Sequence, residues 1–297
     1  MSCCFLEAGF PEHVVQNIFI DNQQAAEVIA LPEVSAVTLT GSTRAGGEVA
    51  AIAGKNIKKT VLELGGSDPF VIMEDANIDR AVEVAVASRL MNAGQSCIAA
   101  KRFIMHEAVY DEVRDKMVDA FKQQQWGDPL DGQTSLAPLA RIDLVENLER
   151  QVKDAVQKGA RCLTGGNRPD AKGCFFEPTV LESIPASAKA YTEELFGPVA
   201  ALYKCSSLDE MIVLANDSPY GLGASLWTED EERAMSIIPQ IASGSVFVNH
   251  MTASDPRIPF GGNQKIRLWK RTFKARHQGI CQCENSLFCL IVLLQVE

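Results

Sequence analysis

Residues 35–64 read SAVTLTGSTRAGGEVAAIAGKNIKKTVLEL, and this stretch decides the fold. Its first part, 35–40, has the pattern of a buried strand. A small-residue segment from Ala45 to Ala53 predicts a helix, and residues 59–64 predict a second strand that ends at a pair of glycines. Strand, helix and strand in this order are typical of an α/β fold with parallel strands.

The rest of the chain repeats this alternation. At its start, residues 3–8 followed by Gly9 and Pro11 are typical of the end of a helix. Further strands are predicted at 69–73, 101–106, 161–164, 174–181, 199–204, 222–227 and 245–249, and further helices at 79–92, 108–123, 143–158, 207–216 and 229–241. We therefore expect an α/β protein built on doubly wound, largely parallel sheets.

The composition bounds the class of protein. The chain has 297 residues, 46% of them hydrophobic, which suits one large or two ordinary domains. A formal net charge of −10 argues against nucleic-acid binding. No signal peptide is apparent, and the longest apolar run, 287–296, is too short to span a membrane. Nine cysteines without a CxxC pair indicate reduced thiols of a cytoplasmic protein, with no metal site.

Two side chains are candidates for catalysis. Cys97 lies between a glycine turn and a small-residue run, and a thiol at a helix N-terminus there would have a lowered pKa. Taken alone, it is more often a buried and inert cysteine. Glu63 lies between two leucines at a strand end, where loss of water would prepare it as a general base. The alternative is an edge-strand carboxylate that faces solvent.

Two further segments could hold a cofactor. Thr40, Gly41 and Ser42 lie between a strand and a helix, where backbone N–H groups can bind phosphate, although such a segment taken alone is more often a plain helix cap. They lack the G-x-G-x-x-G pattern. Glu194 and Phe196 lie in the segment EELFGP, where a carboxylate could hold ribose hydroxyls and a ring could pack on nicotinamide. An ordinary turn into a strand is the alternative.

Taken together, the segments TGS, ELGG, GQSC, EELFGP, SPYGLGASLWT, SGSVFVN and PFGG follow one another in this order between residues 35 and 262. In this order they resemble the aldehyde dehydrogenase superfamily. NAGQSCIAAKRF and VNHMTASDPRIPFGG are most similar to its succinate-semialdehyde dehydrogenase branch. The resemblance implies a doubly wound α/β fold and the NAD(P)-dependent oxidation of an aldehyde to a carboxylic acid. It also implies a small-molecule aldehyde substrate and a homodimer or homotetramer.

The resemblance also implies roles for individual residues. Cys97 matches the thiol that attacks the aldehyde, its own N–H donating to the oxyanion, and Glu63 matches the base that activates water to hydrolyse the thioester. NAD or NADP would be held by Thr40, Gly41, Ser42, Leu64, Glu194 and Phe196. Ile98 and Ser254 would lie near the substrate, and Asn249 would order the loops around the site.

The sequence departs from the family at three places. Met91 stands six residues before Cys97, where the succinate-semialdehyde branch has a carboxylate-binding arginine. The family has a long segment before the position of Met1, which supplies the first half of the cofactor domain and a second oxyanion donor. After residue 263 the family pattern is lost, and a reading frame shifted by one base would restore it. We therefore expect a remnant of the NAD(P)-binding domain at 1–65, a catalytic domain at 66–262 and an aberrant tail at 263–297.

Three functions remain open from the sequence. The first is an aldehyde dehydrogenase whose turnover by this chain alone is impaired. The second is a non-catalytic remnant that packs with complete subunits. The third is a cofactor-independent thiol esterase that uses Cys97 and Glu63.

Overall fold

The computed structural model describes residues 2–257, 260–262 and 290–294. Its helices and strands alternate along the chain. In order they are α1 (Ser2–Glu7), α2 (Asn22–Ala30), β1 (Val34–Thr40), α3 (Thr43–Lys55), β2 (Lys59–Glu63), β3 (Pro69–Ile72), α4 (Ile78–Leu90), β4 (Arg102–His106), α5 (Glu107–Lys122), α6 (Ile142–Gln157), β5 (Arg161–Thr164), β6 (Thr179–Glu182), α7 (Lys189–Thr192), β7 (Val199–Cys205), α8 (Leu208–Asn216), β8 (Ala224–Trp227), α9 (Glu231–Ile237), β9 (Val246–Val248) and β10 (Leu290–Leu294).

The larger sheet has the strand order β5-β6-β7-β4-β3-β8-β9. Its pairs are parallel except for β5 with β6, which are antiparallel. Every residue of β3 and β8 is buried, because helices cover both faces of a doubly wound sheet and its central strands become continuous apolar runs. The rings of Phe70, Phe103 and Trp227 pack in the middle, with Phe70 5.5 Å from each of the other two ring centroids. This sheet carries most of the core.

The smaller sheet has the order β10-β1-β2, and both pairs are parallel. Its register places Thr40 opposite Glu63, and the N–H of Gly41 donates to the carbonyl of Glu63 at 3.0 Å. Two motifs that lie more than twenty residues apart in the sequence therefore meet at the carboxyl edge of this sheet. At that edge, open parallel sheets in general bind their ligands.

The predicted α/β class with largely parallel sheets is confirmed, and most elements match within two residues. The strand predicted at 174–181 is wrong over its first half, since β6 begins only at Thr179, after Pro178. The helix predicted at 229–241 ends early, at Ile237, and continues as a 3-10 turn over Ile238–Gln240, because Pro239 has no N–H to donate. Helix α2, capped by the side chain of Asp21, was not predicted.

The predicted domain division between residues 65 and 66 falls between β2 of the smaller sheet and β3 of the larger one, and it stays a prediction. Most of the predicted aberrant tail lies outside the described residues. Its segment Leu290–Leu294 forms β10 and pairs with β1. Among the described residues, no helix combines the length and apolar character needed to cross a membrane.

Candidate active site

Glu63 is the last residue of β2, and its side chain is only 4% exposed. Its neighbours Leu62 and Leu64 are also buried, and they belong to an apolar cluster packed between β1, α3 and the site. The alternative of a carboxylate that faces solvent from an edge strand is therefore wrong. The carboxylate of Glu63 therefore lies at the carboxyl edge of the smaller sheet and is shielded from bulk solvent.

Cys97 lies in a turn, between a 3-10 turn at Met91–Gly94 and β4. The prediction of a helix N-terminus at the thiol is wrong, because Asn92, Ala93 and Gly94 adopt positive φ values of 52°, 53° and 77° and divert the chain after α4. The predicted low pKa is wrong as well. Burial raises the pKa of the Cys97 thiol, and the charges of Asp68, Glu194 and Glu63 raise it further against the opposing effect of Lys101.

Three glycines bring the sequence motifs into contact. A β-carbon on Gly66 would overlap the carbonyl oxygen of Cys97, and one on Gly65 would overlap the carboxylate of Glu194. One on Gly94 would overlap the carbonyl oxygen of Gly197. The segments ELGG, GQSC and EELFGP thus touch through backbone, where a side chain would not fit. The structure brings together Glu63, Cys97 and Glu194, which the sequence analysis proposed as parts of one site.

The side chain of Lys101 connects the segments GQSC and EELFGP. Its ammonium is fully buried and lies 3.1 Å from Oε1 of Glu194, which also accepts from the N–H of Gly66 at 3.1 Å. It donates further to the carbonyls of Ser96 and Cys97 at 2.8 and 3.0 Å. Sequence reasoning missed this residue. The available signal was a lysine placed among alanines at the start of a strand expected to be buried.

Asp68 is a second buried charge that sequence reasoning missed. Its carboxylate accepts from the N–H of Gly223 at 3.1 Å, and its carbonyl accepts from the N–H groups of Lys101 and Arg102. Burial raises the pKa of Asp68 to about 7, although the charge of Lys101 and the hydrogen bonds from Gly223 and Thr252 act in the opposite direction. Asp68 therefore changes its protonation state near neutral pH, beside the nucleophile.

Arg89, near the end of α4, is also fully buried. Its Nη2 donates to the carbonyl of Gly94 at 2.6 Å, which supports the turn before Cys97. Within the described part of the chain, its Nε and Nη1 have no hydrogen-bond partner. Burial lowers the pKa of Arg89 to about 9, against the charges of Glu194 and Asp68. Residues 94–98, which carry the candidate nucleophile and are called the nucleophile turn below, therefore contact two buried cations, Arg89 and Lys101. The charges of Asp68 and Glu194 act on both cations.

The residues predicted to hold a cofactor start α3. Ser42 is its N-cap and accepts from the N–H of Ala45 at 3.2 Å, as the cap interpretation requires. The start of this 13-residue helix also lies at the carboxyl edge of β1, where its free N–H groups favour an anion. A β-carbon on Gly46 would overlap the side chain of Leu64, so α3 lies directly on the strand end. Both features fit the phosphates of a dinucleotide, and the cap and phosphate interpretations are compatible.

On the substrate side, Cys97 and Ile98 pack against the apolar cluster that contains Leu64. Asn249 lies at the end of β9 with φ 53°, and its side chain accepts from the N–H of Thr228 at 3.1 Å and donates to the carbonyl of Thr228 at 2.8 Å. It therefore orders the loop after β8, as predicted. Ser254 is exposed and Phe196 is half-buried, and their roles stay predictions.

Among the described residues, no cluster of three or more His, Cys, Asp or Glu side chains could hold a metal ion.

Comparison with known proteins extends these observations. The sequence model of the aldehyde dehydrogenase family matches residues 1–274. A protein of Synechocystis sp. named probable succinate-semialdehyde dehydrogenase [NADP(+)] is 47% identical over 258 residues, which are 87% of this chain and 57% of that protein. A succinate-semialdehyde dehydrogenase [NADP(+)] of Mycobacterium avium is 47% identical over 254 residues, 86% of this chain and 54% of that protein.

Among solved structures, the succinic semialdehyde dehydrogenase of Streptococcus pyogenes in complex with NADP+ superposes with a TM-score of 0.90 at 39% identity. The match covers 94% of this chain and 62% of that one. The chain thus spans little more than half the length of the relatives that it matches.

Proposed function

Because the chain belongs to the aldehyde dehydrogenase family, we propose that it carries the catalytic site for the oxidation of an aldehyde to a carboxylic acid with a nicotinamide cofactor. The observation that supports this function best is the close contact of Gly65 with Glu194 and of Gly66 with Cys97, directly after Glu63 and Leu64 in the chain. A nucleophile, a base and a cofactor-side carboxylate come from three separate segments and converge on one place.

Cys97 is the proposed nucleophile. Its thiolate attacks the carbonyl carbon of the aldehyde, a C–S bond forms, and the carbonyl π electrons move to oxygen to give a thiohemiacetal anion. The backbone N–H of Cys97 donates to that oxygen and stabilises its charge. Burial that raises the pKa of the thiol disfavours the free thiolate, so attack is fastest in alkaline solution.

Glu63 is the proposed general base. It takes a proton from a water molecule, whose oxygen attacks the thioester carbon, and the C–S bond breaks to release the carboxylic acid and the Cys97 thiolate. The side chain of Glu63 is buried, which keeps competing water away from it. Its charge contributes to the raised pKa of Cys97, which supports a place for both side chains in one site.

NADP is the proposed cofactor, since two relatives and one solved structure are named for it. When bound, it supplies the acceptor for the hydride that leaves the Cys97-bound carbon and so turns the thiohemiacetal into a thioester. The start of α3 at Ser42 would hold its phosphates, Glu194 its ribose, and Leu64 and Phe196 would lie beside its nicotinamide.

Succinate semialdehyde is the proposed substrate, because the relatives carry its name. Met91 bears on this choice, since its thioether cannot replace an arginine that binds a carboxylate. A neutral aldehyde of the same length, butyraldehyde, separates the possibilities. Preference for succinate semialdehyde supports a carboxylate site built from other residues, and preference for butyraldehyde supports an apolar pocket at Met91.

The test is NADPH formation by the purified chain from succinate semialdehyde and NADP. We expect slow turnover, and its loss in Cys97→Ser and Glu63→Gln, whereas the exposed control Cys4→Ser keeps the rate of the parent chain. Glu63→Gln should still release one equivalent of NADPH, because the base acts only after hydride transfer. Ester hydrolysis without NADPH formation would instead support the thiol esterase. Neither activity in a folded chain would support a non-catalytic role.

We also propose that residues 1–65 belong to the cofactor-binding part and 66–262 to the catalytic part, and that the chain assembles as a homodimer or homotetramer. The separation of β1 and β2 from the seven-stranded sheet supports this division. Limited proteolysis and the mass of the chain in solution test the two statements.

A further inference from the structure

The ammonium of Lys101 has three N–H groups and three acceptors. The carbonyl of Ser96 lies at 2.8 Å, the carbonyl of Cys97 at 3.0 Å and Oε1 of Glu194 at 3.1 Å. The side chain is fully buried, so no solvent competes for these bonds. A lysine is rarely buried completely unless its charge is paired, and here the pairing is with Glu194.

The bond to Ser96 has a geometric consequence for the next residue. The peptide bond between Ser96 and Cys97 is trans, since the described chain has no cis peptide bond. In a trans peptide the C=O and the N–H point in opposite directions in one plane. When Lys101 draws the carbonyl of Ser96 towards the core, the N–H of Cys97 is therefore turned the other way, out of the core.

The bond to Glu194 adds a second constraint. Oε1 of Glu194 accepts from Lys101 and from the N–H of Gly66, and Gly66 itself lies against the carbonyl of Cys97. The nucleophile turn and the carboxylate of Glu194 therefore meet at one ammonium, and the loop after β2 is joined to them through Glu194. A shift of the turn or of Glu194 would lengthen at least one bond of the ammonium.

We propose that Lys101 is a positioning residue that sets the direction of the Cys97 N–H and so builds the oxyanion-binding position of the site. The proposal rests on the proposed function only in taking Cys97 as the nucleophile. Lys101 touches neither aldehyde nor cofactor in this role, and it acts through the peptide group that precedes the thiol. Its charge has a second effect, because it opposes the carboxylates that raise the pKa of Cys97.

Two reagents separate this role from a merely structural one. Iodoacetamide alkylates a thiolate by displacement and needs no oxyanion, whereas p-nitrophenyl acetate acylates it through a tetrahedral anion. The ratio of acylation to alkylation rate at Cys97 at one pH therefore reports the oxyanion donor and cancels the thiolate fraction. Both rates are followed at Cys97 by mass spectrometry of the full chain, with the buried Cys205 as a monitor of folding.

The variants are Lys101→Met, Lys101→Gln and the control Lys204→Gln, which removes a half-exposed lysine on β7. We expect the ratio to fall at least about tenfold in Lys101→Met, since loss of one oxyanion donor costs about 100-fold or more. Lys101→Gln keeps donors for the carbonyls and should lose less. The alkylation profile of both variants should shift to higher pH, and the control should match the parent chain.

A ratio within about twofold of the parent chain in a folded Lys101 variant would overturn the proposal, because a misdirected donor must weaken acylation selectively. If Lys101→Met exposes Cys205 and is thus unfolded, Lys101→Gln decides. Its ratio should still fall by more than about twofold, because its two N–H groups cannot satisfy all three acceptors of the ammonium. The NADPH assay is independent of both reagents. If the parent chain forms no NADPH but the ratio falls in the Lys101 variants, the proposed function is refuted and the role of Lys101 stands. If the parent chain forms NADPH but the ratio does not change in the variants, the proposed function stands and the role of Lys101 is refuted.

Discussion

Gly66 and Cys97 meet through backbone alone, with the α-carbon of Gly66 packed so closely against the carbonyl oxygen of Cys97 that a β-carbon would overlap it. Both atoms belong to segments held by the wider network, the first through Glu194 and the second through Lys101. Neither can move aside without breaking a buried hydrogen bond, so the distance between the loop after β2 and the nucleophile turn is narrowly defined.

Gly66→Ala should therefore displace Cys97. We expect NADPH formation to fall by about 100-fold, the cost of a misplacement of about 1 Å at a reacting centre. The matched control is Gly47→Ala on the exposed side of α3, where no atom lies within 4 Å of the added carbon. It should keep its rate and gain about 0.5–1 kcal/mol of stability, because alanine is the better helix former. Equal rates in the two variants would contradict the close contact.

Asp68 should make the stability of the chain depend on pH. Its pKa is about 7 in the folded chain and 3.8 in the reference state, so folding takes up a proton between these values. The free energy of unfolding contributed by this group therefore falls as pH rises from about 4 to about 7, by up to about 1.4 kcal/mol per pH unit. Urea midpoints of the parent chain and Asp68→Asn test this, and their difference should vary over that window and be flat above it.

The reactivity of Cys97 should follow the raised pKa of its thiol. Burial is the main cause, and it shifts the rise of the alkylation rate to a higher pH than in N-acetylcysteine amide, the reference thiol. Asp68→Asn removes one of the carboxylates that raise the pKa of Cys97, so its profile should move back towards lower pH. A profile at or below that of the reference thiol would mean that the site stabilises the thiolate.

Asn249 should stabilise the loop after β8. Asn249→Ala removes two hydrogen bonds to Thr228. It also leaves an alanine at φ 53°, a backbone conformation that these two bonds no longer stabilise. We expect a loss of about 2 kcal/mol from bonds worth about 1 kcal/mol each. Asn249→Gly loses the same bonds but accepts the positive φ, so it should be the more stable of the two. Urea unfolding measures both, and the reverse order would contradict the role of the backbone conformation.

The sequence was sufficient for the fold class, whereas the roles that it assigns to the site residues stay predictions. The alternation of strands and helices predicted the parallel sheets, and the order of the motifs predicted that Glu63, Cys97 and Glu194 share one site. The first prediction depends on the spacing of apolar residues and on the glycines that end the apolar runs. The second depends on the resemblance of the ordered motifs to a known family.

The turn before Cys97 and the buried charges around it could not be predicted, because they depend on how separate segments pack together. Asn92 and Ala93 adopt positive φ although alanine rarely does so, because the surrounding packing on Arg89 and Gly197 determines the turn. The resulting turn, rather than a helix start, is the reason for the wrong prediction of the pKa of Cys97. Lys101 and Asp68 were missed for a similar reason, since their burial becomes visible only when separate segments are brought together.

Strand β10 joins the smaller sheet from a distant part of the sequence. Its pairing of Leu290 with Val34 joins residues more than 250 positions apart, while β1 and β2 are near neighbours. During synthesis, β1, α3 and β2 leave the ribosome early, but one edge of β1 has to wait for a strand that follows more than 200 residues later. Non-local pairing of this kind is slow, so the smaller sheet closes after the seven-stranded sheet, whose strands all lie between β2 and β10 in the sequence.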